Sequence, residues 1–128
     1  MNDARRSPRR CGSEAFDAAP ALVSDDALDE AARQHSRDMA DSGELGHTGS
    51  RGEDLSDRIA AAGVSARAWA ENVAAGQPDA QAAITSWLAS SGHCRNLMTP
   101  EFEAYGAAVA HAEDGTPFWT LILVAPAD

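Results

Sequence analysis

The chain has 128 residues, 44% of them hydrophobic and 23% charged, which suits one globular domain. Its formal net charge of −10 excludes most nucleic-acid-binding classes, because no broad basic surface is available to replace phosphate counterions. No apolar run approaches the roughly 18 residues that a membrane span needs. We therefore expect residues 1–128 to form a single domain that is an acidic monomer and has no membrane span.

Residues 1–12 contain four of the chain's ten basic residues, all of them arginine. Pro8 and the absence of apolar periodicity predict a basic arm or, at most, a weak first helix. A short basic run is typical of solvated charge, and the alternative is an arm that contacts an anionic polymer. The segment also lacks the apolar stretch of a signal peptide. The protein is therefore either cytosolic or exported with a leader that this sequence does not include.

The first strong helix is predicted to begin at Ser24, a favourable N-cap residue, and to end at Gly43. An apolar stripe with helical spacing runs along it, formed by Leu28, Ala32, His35 and Met39. Because His35 falls inside this stripe, we interpret it as a hydrogen-bonded core residue and do not assign it to a functional site.

A glycine-rich loop follows and contains His47. Such a loop buries little surface, but it can present an imidazole at the rim of a pocket. A short helix is predicted next, ending at Gly63. Residues 67–75 are predicted to be extended, with Trp69 and Val73 on the face opposite the polar side chains of that strand.

Residues 69–98 contain the sequence features most indicative of a site, since Glu71 and Asn72 lie near the start of the segment and His93 near its end. A helix is predicted between them, with Pro78 in its first turn and Gly92 as its stop. Its apolar face consists of Ala80, Ala83, Ile84, Trp87 and Leu88. A rigid helix of this kind can hold the glutamate and the histidine near one concavity.

The last third of the chain is predicted to be a β-hairpin. In residues 105–111, Tyr105, Ala107, Val109 and His111 alternate with Gly106, Ala108 and Ala110. Glu113-Asp114-Gly115 is a turn sequence, and residues 118–124 are almost continuously apolar. Such an apolar run is typical of a strand that is covered on both faces. Helices first and a hairpin last favour an α+β fold, a three-layer α-β-α sandwich around a small antiparallel sheet.

Six motifs in this order resemble the bacterial members of the CAP superfamily, named after cysteine-rich secretory proteins, antigen 5 and pathogenesis-related class 1 proteins. They are His35-Ser36-x2-Met39-Ala40, Gly46-His47-Thr48-Gly49, Asp57-Arg58-Ile59, Ala70-Glu71-Asn72-Val73-Ala74, Trp87-x2-Ser90-x-Gly92-His93, and Gly106 with Phe118-Trp119-Thr120. The likeness covers residues 14–124. It implies the same sandwich fold, secretion, and a cleft lined by two histidines and acidic residues.

Carried over residue by residue, the resemblance places His47, Glu71, Asn72 and His93 in the cleft. Many eukaryotic members have a second glutamate where this chain has Ser90. That departure removes one carboxylate and argues against a mechanism that needs two. We expect Asn72 to order the loop beside it.

The chemistry of these residues leaves three interpretations open. The cleft can bind a ligand or partner, such as a lipid, a glycan or a cell-wall component. His47 and His93, supported by Glu71, can instead bind a divalent cation such as zinc and make the protein a metal-dependent hydrolase. The third interpretation is an extracellular interaction domain with a vestigial cleft. Ser90 lies three residues from His93, but no nucleophile elbow surrounds it, which argues against a serine hydrolase.

Cys11 and Cys94 are the only cysteines. Two reduced thiols are usual in a cytosolic protein, and Cys94 can be a small buried apolar residue. Against this, the resemblance implies export, and residues 1–20 need an anchor because they lack apolar periodicity. We therefore predict a disulfide between Cys11 and Cys94.

Overall fold

The computed structural model describes residues 1–127. The elements in chain order are α1 (Asn2–Arg5), β1 (Arg9–Cys11), β2 (Glu14–Phe16), β3 (Val23–Ser24), α2 (Asp26–Ser42), α3 (Leu55–Ala61), β4 (Ala66–Ala75), α4 (Ala80–Leu88), α5 (Ser91–Met98), β5 (Ala104–His111) and β6 (Pro117–Pro126). Among these residues, we find no helix with the length and apolar character needed to cross a lipid bilayer.

The main sheet has the strand order β3-β5-β6-β4. The predicted hairpin is confirmed as the antiparallel pair β5 and β6, and β4 pairs antiparallel with the other side of β6. The short strand β3 joins β5 in parallel, so the sheet is mixed. Helix α2 packs against β5 and β6 on one face, while α4 and α5 cover the other. The α+β sandwich predicted from the sequence is confirmed.

Helix α2 begins one residue later than predicted. The N-cap is Asp25, whose carboxylate accepts hydrogen bonds from the backbone N–H groups of Ala27 and Leu28 at 2.8 and 3.1 Å. A carboxylate also suits the positive end of the helix dipole. Close packing of α2 on the sheet requires Gly106 in β5, because a Cβ there would lie 2.1 Å from the carbonyl carbon of Leu28.

The helix predicted up to Gly92 is two helices. Helix α4 begins after Asp79, whose side chain accepts from the N–H of Ala82 at 2.8 Å, so Pro78 precedes the cap and is not in the first turn. The chain leaves α4 after Leu88 and re-enters a helix at Ser91. Gly92 therefore lies in the first turn of α5 and does not end a helix, and His93 and Cys94 follow it on α5.

The N-terminal arm is folded against the domain. Strands β1 and β2 form a small antiparallel hairpin, which the sequence did not predict. Arg5 is 0% exposed, so the expectation that the arginines of the arm are solvated is wrong for this residue. Its guanidinium donates to four backbone carbonyls, those of Pro20, Leu97, Thr99 and Phe102. Hydrogen bonds from Arg5 thus link the arm to the end of α5 and to the residues that follow it.

The predicted disulfide between Cys11 and Cys94 is confirmed. The two Cα atoms lie 5.4 Å apart, and both residues are buried together with Met98. The bridge joins β1 to α5 directly beside His93. The hairpin and the histidine-bearing helix are therefore held as one covalent unit.

Candidate functional site

Strand β4 is an edge strand of the main sheet and contributes Glu71 and Asn72. Adjacent residues of a strand project to opposite faces, so Glu71 lies on the α2 face and Asn72 on the α5 face. Alternation also puts Glu71 on the same face as Trp69 and Val73, which corrects the expectation that the polar side chains face the other way. The site is thus built around one edge of the sheet, from both sides.

The loop that contains His47 is attached to α2 at two points. The Nε2–H of buried His35 donates to the carbonyl of Gly46 at 2.7 Å, which confirms His35 as a hydrogen-bonded core residue. The N–H of Ser50 donates to Asp38 at 2.7 Å, and the hydrogen bonds from Ser50 lower the pKa of that carboxyl. These bonds hold the His47 imidazole beside β4 although its side chain is 58% exposed.

Glu71 is the buried centre of the His47 side, with 1% of its side chain exposed. The Nδ1–H of His47 donates to its Oε1 at 2.9 Å, and Arg58 donates to both carboxylate oxygens, at 2.5 and 3.3 Å. Arg58 also donates to the backbone carbonyl of His47. One guanidinium therefore neutralises the buried carboxylate and fixes the loop.

His93 is held on the opposite face by uncharged groups. Its Nδ1 lies 3.1 Å from the hydroxyl of Ser90, and its backbone carbonyl accepts from the amide of Asn72 at 3.2 Å. Asn96 donates to the Asn72 side-chain oxygen at 2.9 Å. Ser90 is the N-cap residue of α5 but makes no side-chain cap bond, because its hydroxyl faces the imidazole. Asn72 thus orders the first turn of α5.

The two imidazoles are within electrostatic range of each other. Burial lowers the pKa of His93 below its ordinary value, and positive charge on His47 lowers it further. The Nδ1 atoms of both rings face protein partners. No partner is found for either Nε2 within residues 1–127. Each ring is consequently fixed on one side and available on the other.

A concavity of about 730 Å³ lies beside this arrangement, between α2, α3 and the loop at 50–53. His35 and Arg58 line it, whereas Glu71 and His93 do not. A smaller concavity of about 240 Å³ is bounded by the His47 loop and the end of α2. Neither concavity is lined by both histidines, since His47 borders the smaller one and His93 borders neither.

The two histidines and Glu71 do not form a three-ligand metal site in this structure. Within residues 1–127 there is no group of three or more His, Cys, Asp and Glu side chains arranged to hold a cation. Glu71 already satisfies Arg58 and His47 with its two oxygens. A metal would have only the Nε2 atoms of the two histidines as ready ligands.

The sequence motifs include Arg58 but gave it no role in the site, although a signal for its burial was present. Leu55, Arg58, Ile59 and Ala62 recur with the spacing of one helix face. A charged residue inside an apolar stripe is expected to be buried with a partner. That partner, Glu71, lies 13 residues away on another element, which local periodicity cannot indicate.

The sequence has a relative in Bacillus subtilis (strain 168), the uncharacterized protein YkwD, with 31% identity over 99 residues. The aligned region is 77% of this chain but 37% of YkwD. A second relative from the same strain, the uncharacterized membrane protein YlbC, is 31% identical over 80 residues, which are 23% of its length. The chain therefore spans less than half of each of these relatives.

Two solved structures share the fold. One is an extracellular protein containing a SCP domain from Bacillus anthracis, with a TM-score of 0.74 and 31% identity, covering 83% of this chain and 34% of that one. The other is an outer surface protein from Borrelia burgdorferi, with a TM-score of 0.77, 19% identity, and coverage of 85% and 80%. At 19% identity, the second likeness concerns the fold alone.

The family match extends over the arm as well as the sandwich. The sequence model of the cysteine-rich secretory protein family, CAP, matches residues 1–123, which include α1, the β1–β2 hairpin and every residue of the candidate site. The matched region also contains the disulfide. This chain belongs to the cysteine-rich secretory protein (CAP) family.

Proposed function

We propose that the chain is an extracellular CAP domain that binds a ligand, a lipid, a glycan or a cell-wall component, in the cleft between His47 and His93. Family membership supports an extracellular location. The disulfide supports it too, because disulfides persist in oxidising compartments. The likeness to an extracellular protein of Bacillus anthracis points the same way.

The binding proposal rests on a feature that the two imidazoles share: each ring has a partner at Nδ1 and none at Nε2 among the described residues. Glu71 fixes His47 through Nδ1, Ser90 contacts His93 through Nδ1, and both Nε2 atoms are left to face a ligand. Side chains held in this way lose little conformational freedom on binding, which favours affinity.

Acyl transfer through Ser90 is less well supported, although Ser90 and His93 are in contact. A serine nucleophile needs a base that a third group orients. The contact uses Nδ1 of His93, and no carboxylate partner for Nε2 is present among the described residues. The pair therefore lacks the orienting group of a catalytic triad.

A metal-dependent hydrolase is the alternative. His47 and His93 would supply two imidazole ligands, and a bound divalent cation would activate water there. Catalytic zinc sites usually have three protein ligands, however, and the pairing of Glu71 with Arg58 disfavours its use as the third.

The test compares the protein with a His47→Ala/His93→Ala variant. Both are purified from the same host and screened for bound lipid or glycan by native mass spectrometry, then titrated with zinc by calorimetry. We expect a bound lipid, glycan or cell-wall fragment that the double variant loses. His111→Ala is the matched control, because His111 is exposed on β5 away from the cleft.

Both variants should retain the far-UV circular dichroism of the parent, since neither cleft histidine belongs to an apolar stripe. Retention of the same ligand by the double variant would contradict the proposal. A tight equimolar zinc site that only the double variant loses, without any organic ligand, would favour the hydrolase alternative instead.

A further inference from the structure

Two exposed arginines have no acidic partner where the N-terminal arm meets α5. The chain has 20 acidic and 10 basic residues, so carboxylates are in excess. Ion pairs with them are formed by other exposed arginines, namely Arg6, Arg33, Arg37 and Arg51. In the part of the chain that the structure describes, the exposed arginines without an ion pair are Arg10, Arg67 and Arg95. Arg67 lies on β4, whereas Arg10 and Arg95 come together at the disulfide.

The disulfide limits the distance between these two arginines. Arg10 directly precedes Cys11 in β1, and Arg95 directly follows Cys94 in α5. The Cα atoms of the two cysteines are 5.4 Å apart, so the Cα atoms of the arginines are at most about 13 Å apart. An arginine side chain is long enough to cover half of this distance. One small anion can therefore contact both guanidinium groups.

The turn of the β1–β2 hairpin packs against the first turn of α5. A Cβ on Gly12, in the hairpin turn, would lie 3.0 Å from the Cβ of Ser91. The Arg10 guanidinium donates to the carbonyl of Ser13, the next residue of this turn, at 3.0 Å. That bond uses one of the five N–H donors of the side chain. It keeps the guanidinium at the hairpin turn, which is the part of the arm that contacts Ser91.

Arg95 folds back over the same turn of α5. Its Nη2 atom would lie 3.9 Å from a Cβ on Gly92, the residue after Ser91. Its guanidinium donates to no residue of the described chain, and the exposed hydroxyl of Ser91 has no partner there either. Two guanidinium groups and one hydroxyl are thus available around a single helical turn.

These donors suit a compact anion with several oxygens. A carboxylate has two oxygens, and one guanidinium can bind both of them. A phosphate monoester has three terminal oxygens and a charge of about −1.5 to −2 at pH 7, so it can accept hydrogen bonds from two guanidinium groups and a hydroxyl together. An extended polyanion would also meet the acidic remainder of a protein with a net charge of −10. A small ligand avoids that repulsion.

We propose that Arg10, Ser91 and Arg95 form a binding site for a phosphate monoester. This site does not involve the two histidines and goes beyond the proposed function. The disulfide fixes the backbone on both sides of it, which lowers the entropic cost of binding. Glu14, which pairs with Cys11 in the hairpin register, is the acid closest to Arg10 along the hairpin, and it weakens the attraction for an anion.

The probe is sn-glycerol 3-phosphate, titrated by calorimetry and by NMR of the arginine Nε–H resonances. We expect saturable binding in the millimolar range that shifts the resonances of Arg10 and Arg95. Arg10→Gln and Arg95→Gln should each weaken it about fivefold, as expected for one exposed charge pair, and the double variant should show no saturable binding. Arg67→Gln, which removes the same charge from β4, should bind like the parent. Glu14→Gln should bind more tightly.

Further arms identify the source of the phosphate and the outcomes that contradict the site. Phosphatidylcholine vesicles containing phosphatidic acid present the same monoester as a lipid headgroup. Binding of either probe that depends on Arg10 and Arg95 supports the proposal, and the probe that binds identifies a soluble or a lipid source. Acetate bound as tightly as sn-glycerol 3-phosphate would overturn the phosphate class. The site itself would be wrong if the parent bound neither probe, or if the Arg10→Gln/Arg95→Gln variant bound like the parent. An equal loss in Arg67→Gln would also overturn it, because net charge would then explain the binding.

Discussion

The two sides of the candidate site hold their histidines by different physical means. On the α2 side, His47 lies on an exposed loop that an ion pair fixes from below, through Glu71 and Arg58. On the α5 side, His93 lies on a helix that the disulfide of Cys94 ties to β1, and its direct contacts are uncharged. One side depends on buried charge and the other on a covalent bond.

This difference indicates how each side should respond to its surroundings. Removing one partner of a buried ion pair leaves an uncompensated charge, so the His47 side should be sensitive to single substitutions in the pair. The His93 side should tolerate loss of its polar contacts, but it should not tolerate loss of the disulfide between Cys11 and Cys94. Changes of redox state and changes of charge should therefore act on different histidines.

The largest expected effect is that of removing the disulfide. The bridge closes a loop with a sequence separation of 83 residues. The chain-entropy model assigns such a loop about 4 to 5 kcal/mol of stability, as an upper figure. A Cys11→Ser/Cys94→Ser variant should lose most of this in urea unfolding. Its NMR spectrum should change more around His93 than around His47.

The matched control is the parent protein in its reduced state. Reduced parent and double variant should unfold at the same urea concentration. If the variant is as stable as the oxidised parent, the arm does not depend on the bridge, and the hydrogen bonds of Arg5 suffice to hold it.

The second effect concerns the ion pair on the other side. Arg58→Met should destabilise the protein by about 3 kcal/mol, because it leaves the Glu71 carboxylate buried without a cation. Arg33→Met is the control, since it removes an arginine from an exposed pair with Glu30 and should cost about 0.5 kcal/mol or less. Urea unfolding measures both.

A second substitution distinguishes charge from packing. Adding Glu71→Gln to Arg58→Met removes the uncompensated carboxylate and should restore part of the lost stability. If the double variant is no more stable than Arg58→Met alone, the arginine contributes through its packing against α3 and β4, and the charge argument is wrong.

The sequence predicted the elements whose signal lies within a short stretch of residues. The apolar run of β6, the hairpin turn and the glycine-flanked His47 loop were each recognisable within about ten residues. The resemblance supplied the order of the site residues. The structure then places Glu71 in contact with His47 and Ser90 in contact with His93.

The features that were missed depend on partners far away in sequence. Arg5 is buried because Leu97 and Phe102, more than 90 residues later, present carbonyls to it. Helix α5 was missed because Gly92 was interpreted as the end of α4, when Ser90 starts a new helix two residues earlier. Neither outcome follows from propensity, since tertiary contacts decide both.

The smallest effect should come from the hydroxyl beside His93. Burial first, and then positive charge on His47, lower the pKa of this imidazole below its ordinary value of 6.5. In the unfolded chain the same histidine takes up its proton at higher pH. The contribution of His93 to stability is therefore constant above that ordinary value and decreases as the pH falls below it.

Ser90→Glu tests whether the uncharged hydroxyl beside His93 contributes to the lowered pKa of this imidazole and to the loss of stability at low pH. A carboxylate near Nδ1 favours the imidazolium, so the pKa of His93 should rise, and the loss of stability on acidification should become smaller. The change in unfolding free energy should stay under about 1 kcal/mol, because the imidazole is partly exposed. NMR titration of His93 measures the shift. Ser65→Glu adds the same charge at an exposed position outside the cleft; an equal shift in both variants would show that net charge, and not the residue facing His93, sets its protonation.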